Sequence, residues 1–180
     1  DQYGWPKIAF KHNGSVVHLA EQFPLLLSRI AKELPTSSLV FYNVNVFPTW
    51  STSKSVMDAI FIEVWEPHST YKDLADLVTK SRMLNSELPI ILSAYLNPFK
   101  DTESRNSLRS ARASLALAFA AISSGGASHL ITGGNGRVLH DPYYVKNYLA
   151  DSDTRRDLVN FFDFLVSIGD FIYDETKTDV

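Results

Sequence analysis

Apolar positions along the chain form two patterns: continuous runs, which are typical of buried strands, and positions at helical spacing, which are typical of amphipathic helices. Continuous runs of apolar, aromatic and β-branched residues predict four buried strands, at 38–47, 58–65, 88–97 and 127–132. Apolar residues at helical spacing predict four helices, at 23–34, 70–84, 104–123 and 154–173. Strands and helices therefore alternate over most of the sequence.

Before the first helix the pattern is polar and turn-rich. We expect a loop over 4–17, with Asn13 and Gly14 as turn formers. In the helix that follows, we place Pro24 in the first turn, where its missing N–H is tolerated. The helix should end at the bond between Leu34 and Pro35.

The polar ends of three predicted strands recur at a nearly constant interval. Glu63, Asn97 and Thr132 stand about 35 residues apart, which is the pitch of a strand–helix repeat. This pattern predicts an α/β fold with parallel strands alternating with helices, the second half of a (β/α)8 TIM barrel. We expect the upstream half of the barrel to be its partner, and the 180 residues alone to be inactive or nearly so.

The strand at 58–65 carries a carboxylate inside an apolar run. Glu63 would be costly to ionise there unless it lies at the open end of the strand, facing a cleft. If Asp1 closes one strand, Glu63 closes the second strand after it, and both carboxylates project over the same rim. A retaining glycosidase uses such a pair about 5–5.5 Å apart. The residues alone leave open a solvated or ion-paired Glu63 and a merely capping Asp1.

Residues with sugar-binding chemistry follow the same strand ends. We expect Trp65 and Tyr95 to offer stacking surface for a sugar ring, or to fill the core. The amides of Asn43, Asn45 and Asn97 would bond its hydroxyls, although an Asn before Pro98 is equally a turn former.

Composition narrows the function classes. The 180 residues are the size of one domain, and 45% are hydrophobic, which is enough for a sizeable core. A net charge of −3 with scattered signs argues against a nucleic-acid or membrane-surface role. No apolar run approaches the length of a membrane span. The absence of cysteine excludes disulfides and thiolate metal sites, and the histidines show no metal-ligand spacing, so we expect no metal and no cofactor.

Several further features have competing interpretations. The loop Gly133–Gly136 lacks the Lys of a phosphate-binding loop, so we interpret it as a place where backbone near Gly134 approaches substrate, or as a plain turn. We expect His129 to be a core histidine and His140 to belong to a turn. The arginines of the third predicted helix should form a solvated face, at Arg105, Arg109 and Arg112.

Short segments along nearly the whole chain resemble the dextranase family, glycoside hydrolase family 66. In order they are DQYG at 1–4, IEVW at 62–65, LSAYLNP at 92–98, GASHLITGG at 126–134, VLHDPYY at 138–144 and FFDFLVSIGDFIYD at 161–174. The resemblance implies that residues 1–180 form a partial catalytic barrel domain, from the end of strand four to helix eight.

What the resemblance implies about activity is specific. Asp1 would be the nucleophile and Glu63 the acid/base of retaining endo-hydrolysis of α-1,6-glucosidic linkages in dextran, giving isomaltooligosaccharides. The enzyme would be bacterial, secreted or on the cell surface, and would need no metal for the chemistry.

Two alternatives stay open. The family also includes cyclising isomaltooligosaccharide glucanotransferases, which carry an inserted carbohydrate-binding module. The short stretch at 97–104 leaves no room for one and favours the hydrolase. The segment 132–135 lacks the acidic residue common there in the family, which leaves the substrate contacts open. The other alternative is a non-catalytic, carbohydrate-binding barrel remnant.

Overall fold

The computed structural model describes residues 9–37, 58–143 and 146–172. Asp1, Asn43, Asn45 and the predicted strand at 38–47 lie outside the described residues. The described elements are, in chain order, β1 Ala9–His12, β2 Ser15–His18, α1 Leu19–Glu33, β3 Ile60–Val64, α2 Tyr71–Leu84, β4 Ile90–Ala94, a 3-10 helix Asn97–Lys100, α3 Arg105–Ser123, β5 Ser128–His129, a 3-10 turn Gly134–Gly136, β6 Arg137–Val138, β7 Tyr148–Leu149, α4 Ser152–Ser167 and α5 Gly169–Ile172.

A parallel sheet organises the described part of the chain. Its strand order is β3-β4-β5, and Glu63 is paired with Ser93 in the register between the first two strands. Helix α2 connects β3 to β4, and helix α3 connects β4 to β5. The mixed α/β fold with a parallel sheet and helices, predicted from the alternation, is confirmed.

The two faces of this sheet are covered differently. Side chains alternate between faces along a strand, so Ile62 and its register partner Leu92 lie on one face and Phe61 and Ile91 on the other. Ile62 and Leu92 have no exposed surface and belong to the core that also includes residues of α2 and α3. We call this side the helix-covered face. Phe61 and Ile91 are partly exposed, and we call their side the open face.

The capping chemistry of α2 and α3 explains where these helices begin. Thr70 accepts a hydrogen bond from the backbone N–H of Asp73, whose carboxylate accepts from the N–H of Thr70 in return. The Thr70 hydroxyl also donates to the Asp73 carboxylate, and this bond, followed by those from the backbone N–H groups of Thr70 and Ser69, holds the pKa of Asp73 below its usual value. Ser104 and Ser107 form the same reciprocal arrangement at the start of α3. Both helix positions were predicted from the sequence and are confirmed.

The loop predicted over 4–17 is wrong for its described part. Residues 9–18 form an antiparallel hairpin, in which Ala9 pairs with His18. Asn13 and Gly14 take positive φ values of 49° and 79°, the backbone of a two-residue hairpin turn. The Asn-Gly dipeptide therefore connects two strands instead of interrupting a loop.

The first helix also differs from its prediction at its start. It begins at Leu19, four residues before the predicted position, so Pro24 lies inside the helix and not in its first turn. Its end agrees with the prediction, because Leu34 is extended ahead of Pro35, as a residue before proline prefers.

The C-terminal region is more divided than predicted. Helix α4 begins at Ser152, where the Asp151 carboxylate accepts a hydrogen bond from the Thr154 N–H, and it ends at Ser167. The short helix α5 follows, so one continuous helix over 154–173 is wrong. The ribbon of β6 and β7 was not predicted, because each strand has only two residues.

One arginine of α3 is not part of a solvated face. Arg112 is half-buried and forms ion pairs with Asp157 at 2.5 Å and with Asp153 at 3.5 Å, both on α4. The hydrogen bond that Arg112 donates to the Asp157 carboxylate raises the pKa of Arg112 above its ordinary value. The predicted solvated face is wrong for Arg112, because its two partners lie more than 40 residues later in the chain. Within the described ranges, no helix is both long and apolar enough to cross a membrane.

Candidate active site

Glu63 lies at the carboxyl end of β3, on the open face of the sheet. Its register partner is Ser93, and Tyr95 follows two residues later on the same side of the chain. The Tyr95 hydroxyl donates a hydrogen bond to Oε1 of Glu63. Glu63 is therefore held by a neutral donor at a partly exposed strand end, as a carboxylate that is accessible to a substrate would be.

Trp65 extends the same edge of the sheet. Its ring meets the Tyr95 ring edge to face, with the centroids 5.5 Å apart and the planes at 67°. The indole is 37% exposed, so it is not core filler alone. Trp65, Tyr95 and Glu63 are brought together at the carboxyl ends of adjacent parallel strands, where α/β folds place their ligands.

A cavity of about 450 Å³ opens at these strand ends, toward the helices. It reaches from the residue after Glu63 to the interior of α3, where Ser114 and Ala118 form part of its wall. Trp65, Tyr95 and Asn97, three residues proposed from the sequence, line it. Glu63 does not line the cavity, but its hydrogen-bond donor Tyr95 does. We take the carboxylate as the chemical centre and the cavity as a compartment next to it.

The remaining sequence-predicted residues are either away from the cavity or outside the described residues. Gly134 is exposed in its 3-10 turn, does not line the cavity, and has open space around the position a Cβ would take. Asp1 and Asn43 belong to segments that the structure does not describe, so the proposed carboxylate pair rests on the sequence for one of its members.

His140 is the cavity residue that sequence reasoning missed. The imidazole lines the cavity and is only 5% exposed. Its Nδ1 is buried without a hydrogen-bond partner in the described part of the chain. The Oδ1 of Asn147 accepts from the backbone N–H groups of His140 at 3.1 Å and Asp141 at 2.8 Å, which fixes this loop. The dipeptide before Pro142 gave no sequence signal of burial.

His129 has the role expected of a core histidine. It lies on the helix-covered face in register with Leu92, and its Nε2 is 3.3 Å from the carbonyl oxygen of Ala94. Burial lowers its pKa from 6.5 to about 4, so the ring is neutral at pH 7. Among the described residues no three carboxylate or imidazole groups converge as a metal site would require.

Comparison with known proteins places these features in a family. The crystal structure of a cycloisomaltooligosaccharide glucanotransferase from Paenibacillus sp., complexed with cycloisomaltoheptaose, is similar at a TM-score of 0.42 and 14% identity, over 52% of this chain and 16% of that one. This chain thus matches only a small part of that protein's length. No curated protein sequence matches. The family model for glycosyl hydrolase family 66 matches residues 1–180, and the chain therefore belongs to that family.

Proposed function

We propose that this chain is the second half of a (β/α)8 barrel, and that the complete barrel is a retaining endo-dextranase. It hydrolyses α-1,6-glucosidic linkages in dextran and releases isomaltooligosaccharides. The observation that carries the proposal is Glu63, a carboxylate at the end of a parallel strand, bonded by Tyr95 and bordered by the exposed ring of Trp65. Family membership supports glycosidase chemistry at this carboxylate.

The two catalytic carboxylates have distinct tasks in this proposal. The carboxylate of Asp1 attacks the anomeric carbon, while Glu63 gives its proton to the departing glycosidic oxygen. Glu63 then takes a proton from the water whose oxygen displaces Asp1 from the sugar. The chemistry uses no metal or cofactor, and Trp65, Tyr95, Asn97, Asn43 and Gly134 would contact the glucan.

Hydrolysis is favoured over cyclisation by the length of the connections. Only residues 101–104 separate the 3-10 helix from α3, and residues 65–70 separate β3 from α2. Neither connection holds an inserted carbohydrate-binding module. We propose that the enzyme acts outside a bacterial cell, as a secreted or surface protein, because a dextran chain is too large to be a cytoplasmic substrate without prior cleavage.

The test uses the full-length protein with both halves of the barrel. Glu63→Gln should lower kcat/KM on dextran by about a hundred- to ten-thousand-fold, because the general acid is lost. On α-isomaltosyl fluoride the same variant should lose less, because fluoride departs without a proton. Asp1→Asn should impair both substrates alike. Glu103→Gln, an exposed carboxylate-to-amide change outside the cavity wall, is the control.

The outcomes separate the competing functions. Full dextran cleavage by both Asp1→Asn and Glu63→Gln would contradict the assignment. Cyclic products from the unmodified enzyme would indicate the glucanotransferase, and dextran binding without any cleavage would indicate a carbohydrate-binding remnant. For the proposed hydrolase we expect the configuration at the anomeric carbon to be retained. NMR of the first product measures this.

A further inference from the structure

We propose that Asn147 is a positioning residue of the reaction, which holds Tyr95 in place and, through Tyr95, the carboxylate of Glu63. The inference rests on the proposed function and deepens it, because it adds to the catalytic arrangement a residue that is in contact with neither the carboxylate nor the substrate. Asn147 lies directly before β7, far from Glu63 in the sequence.

The turn that follows β4 carries the hydrogen-bond donor of Glu63. Tyr95 comes directly after the strand, and its hydroxyl donates to Oε1 of Glu63. The carbonyl oxygen of Tyr95 accepts from the N–H of Asn97 at 3.0 Å. We call residues 95–99 the β4 turn. If this turn were displaced, the carboxylate would lose this donor or move with it.

Two contacts from later parts of the chain hold the β4 turn. The backbone N–H of Leu96 donates to the carbonyl oxygen of Leu139 at 2.9 Å. The ring of Phe99 packs against the ring of Tyr148, with the centroids 5.5 Å apart and the planes at 34°. Leu96, Leu139 and Phe99 are buried, so the turn is held from inside the protein.

Asn147 joins these two holding points. Its Oδ1 accepts from the backbone N–H groups of His140 at 3.1 Å and of Asp141 at 2.8 Å, which follow Leu139 directly. The backbone of Asn147 continues into Tyr148. One side chain therefore fixes, relative to each other, the two parts of the chain that hold the β4 turn.

The surroundings of Asn147 indicate that the amide is kept for its oxygen. The residue is 1% exposed, and its Nδ2 has no hydrogen-bond partner among the described residues. A buried donor without a partner costs free energy, so the amide nitrogen does not account for an asparagine here. The oxygen does, because it satisfies two backbone N–H groups at once. The guanidinium of Arg137 donates to the Asn147 carbonyl oxygen at 2.6 Å and holds the backbone of the same residue.

The experiment separates positioning from a merely structural role by comparing two substrates of the full-length protein. Dextran needs a proton from Glu63 for its leaving chain to depart, whereas α-isomaltosyl fluoride does not. The readout is kcat/KM on dextran divided by kcat/KM on the fluoride. Unfolding of part of a sample lowers both values by the same factor and leaves this ratio unchanged.

Asn147→Leu removes the oxygen but keeps the branched shape of the side chain. We expect the ratio to fall about ten- to a hundredfold, because a small displacement of a catalytic group has an effect of this size. The fall should be less than in Glu63→Gln. Asn147→Asp keeps an oxygen for both N–H groups, and Arg137 lies beside it as a counter-charge. Its ratio should stay close to the unmodified value.

Asn85→Leu is the matched control. The Oδ1 of Asn85 also accepts from a backbone N–H, that of Glu87 at 3.1 Å, but it lies at the end of α2, on the side where β4 begins. Its ratio should not change.

Arg137→Met is a second variant, at a residue that is only half-buried. It removes the hydrogen bond to the Asn147 carbonyl oxygen and should lower the ratio by less than Asn147→Leu does. If Asn147→Leu gives no folded protein, this variant provides the result.

A double variant tests the route through Tyr95. Tyr95→Phe removes the hydroxyl that donates to Glu63 and should by itself lower the ratio. If Asn147 acts through this hydroxyl, adding Asn147→Leu to Tyr95→Phe should lower the ratio little further. Two independent losses that multiply would overturn the inference.

The outcomes distinguish this inference from the proposed function. If the unmodified enzyme hydrolyses dextran, but Asn147→Leu and Arg137→Met keep its ratio, the positioning role is overturned while the proposed function stands. Equal losses in Asn147→Leu and Asn147→Asp would also overturn it, because the oxygen would then not be the group that matters. An unmodified enzyme that cleaves neither dextran nor the fluoride overturns the proposed function and this inference with it.

Discussion

The two faces of the parallel sheet differ in what covers them and in what they carry. On the helix-covered face, Ile62, Leu92 and His129 are buried against α2 and α3. On the open face, Phe61 and Ile91 are partly exposed, and Glu63 lies beyond them at the strand end. Helices of this chain cover one face, and the other face carries the carboxylate that we propose to be catalytic.

This difference explains why a carboxylate can be kept on a strand that is otherwise apolar. On the helix-covered face a charged Glu would lose its hydration without a counter-charge, which costs several kcal/mol. On the open face Glu63 keeps partial exposure and gains the Tyr95 hydroxyl. Alternation along β3 therefore puts the buried core on one side of the sheet and this carboxylate on the other.

The largest expected effect on stability is on the helix-covered face. Leu92→Ala should lower the free energy of unfolding by about 2–5 kcal/mol, because a fully buried leucine leaves a cavity. Ile91→Ala, the next residue on the same strand, should cost less, because its side chain is already partly exposed. Urea denaturation of the 180-residue chain measures both.

The same pair of variants also tests the barrel. If the upstream half covers the open face, as a packed barrel interior requires, Ile91→Ala should cost more in the full-length protein than in the 180-residue chain. Leu92→Ala should cost the same in both. Equal losses for the two variants in the 180-residue chain would contradict the description of the two faces.

A titrating group on the helix-covered face should make stability depend on pH. The folded pKa of His129 is about 4, below its ordinary value of 6.5. Between these two pH values the imidazole is protonated in the unfolded chain and neutral in the folded chain. The contribution of His129 to the free energy of unfolding is fully present above about pH 6.5. It is lost as the pH decreases toward about 4, and the loss amounts to about 3 kcal/mol.

Urea denaturation at pH 7 and at pH 4.5 measures this loss. His129→Leu and His129→Gln both remove the titrating ring, so both should reduce the pH dependence by a similar amount, whatever they do to stability at pH 7. An unchanged dependence in both variants would show that other groups cause it.

How far the fold could be predicted depends on whether the signal is local. The elements β3, α2, β4 and α3 follow from apolar runs and from caps that lie within a few residues of each other, such as Thr70 with Asp73. The hairpin over 9–18 was missed because its strands are almost wholly exposed and have no buried face to give a strong alternation. Its Asn-Gly turn was the one signal available.

The candidate site was predictable only in part, for a related reason. Glu63 and Trp65 share a strand end, and Tyr95 ends the next strand at the repeat interval, so periodicity could place them together. His140 is buried in the folded chain, and its backbone N–H donates to the side-chain oxygen of Asn147. Nothing near it in sequence marks it. A side chain buried by tertiary packing leaves no period to detect.

The smallest effect on the free energy of unfolding is expected at the start of α3, where the helix is capped. Ser104→Ala removes the hydroxyl that accepts from the Ser107 N–H at 3.0 Å at the start of α3. The loss should be about 1 kcal/mol, because the unsatisfied N–H groups lie near water and the buried face of α3 is unchanged. Ser110→Ala, exposed within the same helix, is the matched control and should be neutral or slightly stabilising, because alanine favours a helix interior. If Ser104→Ala lowered the free energy of unfolding as much as Leu92→Ala does, the stability of α3 would depend more on its N-terminal cap than on its packing against the sheet. Thermal unfolding monitored by circular dichroism is sensitive enough to separate the two variants.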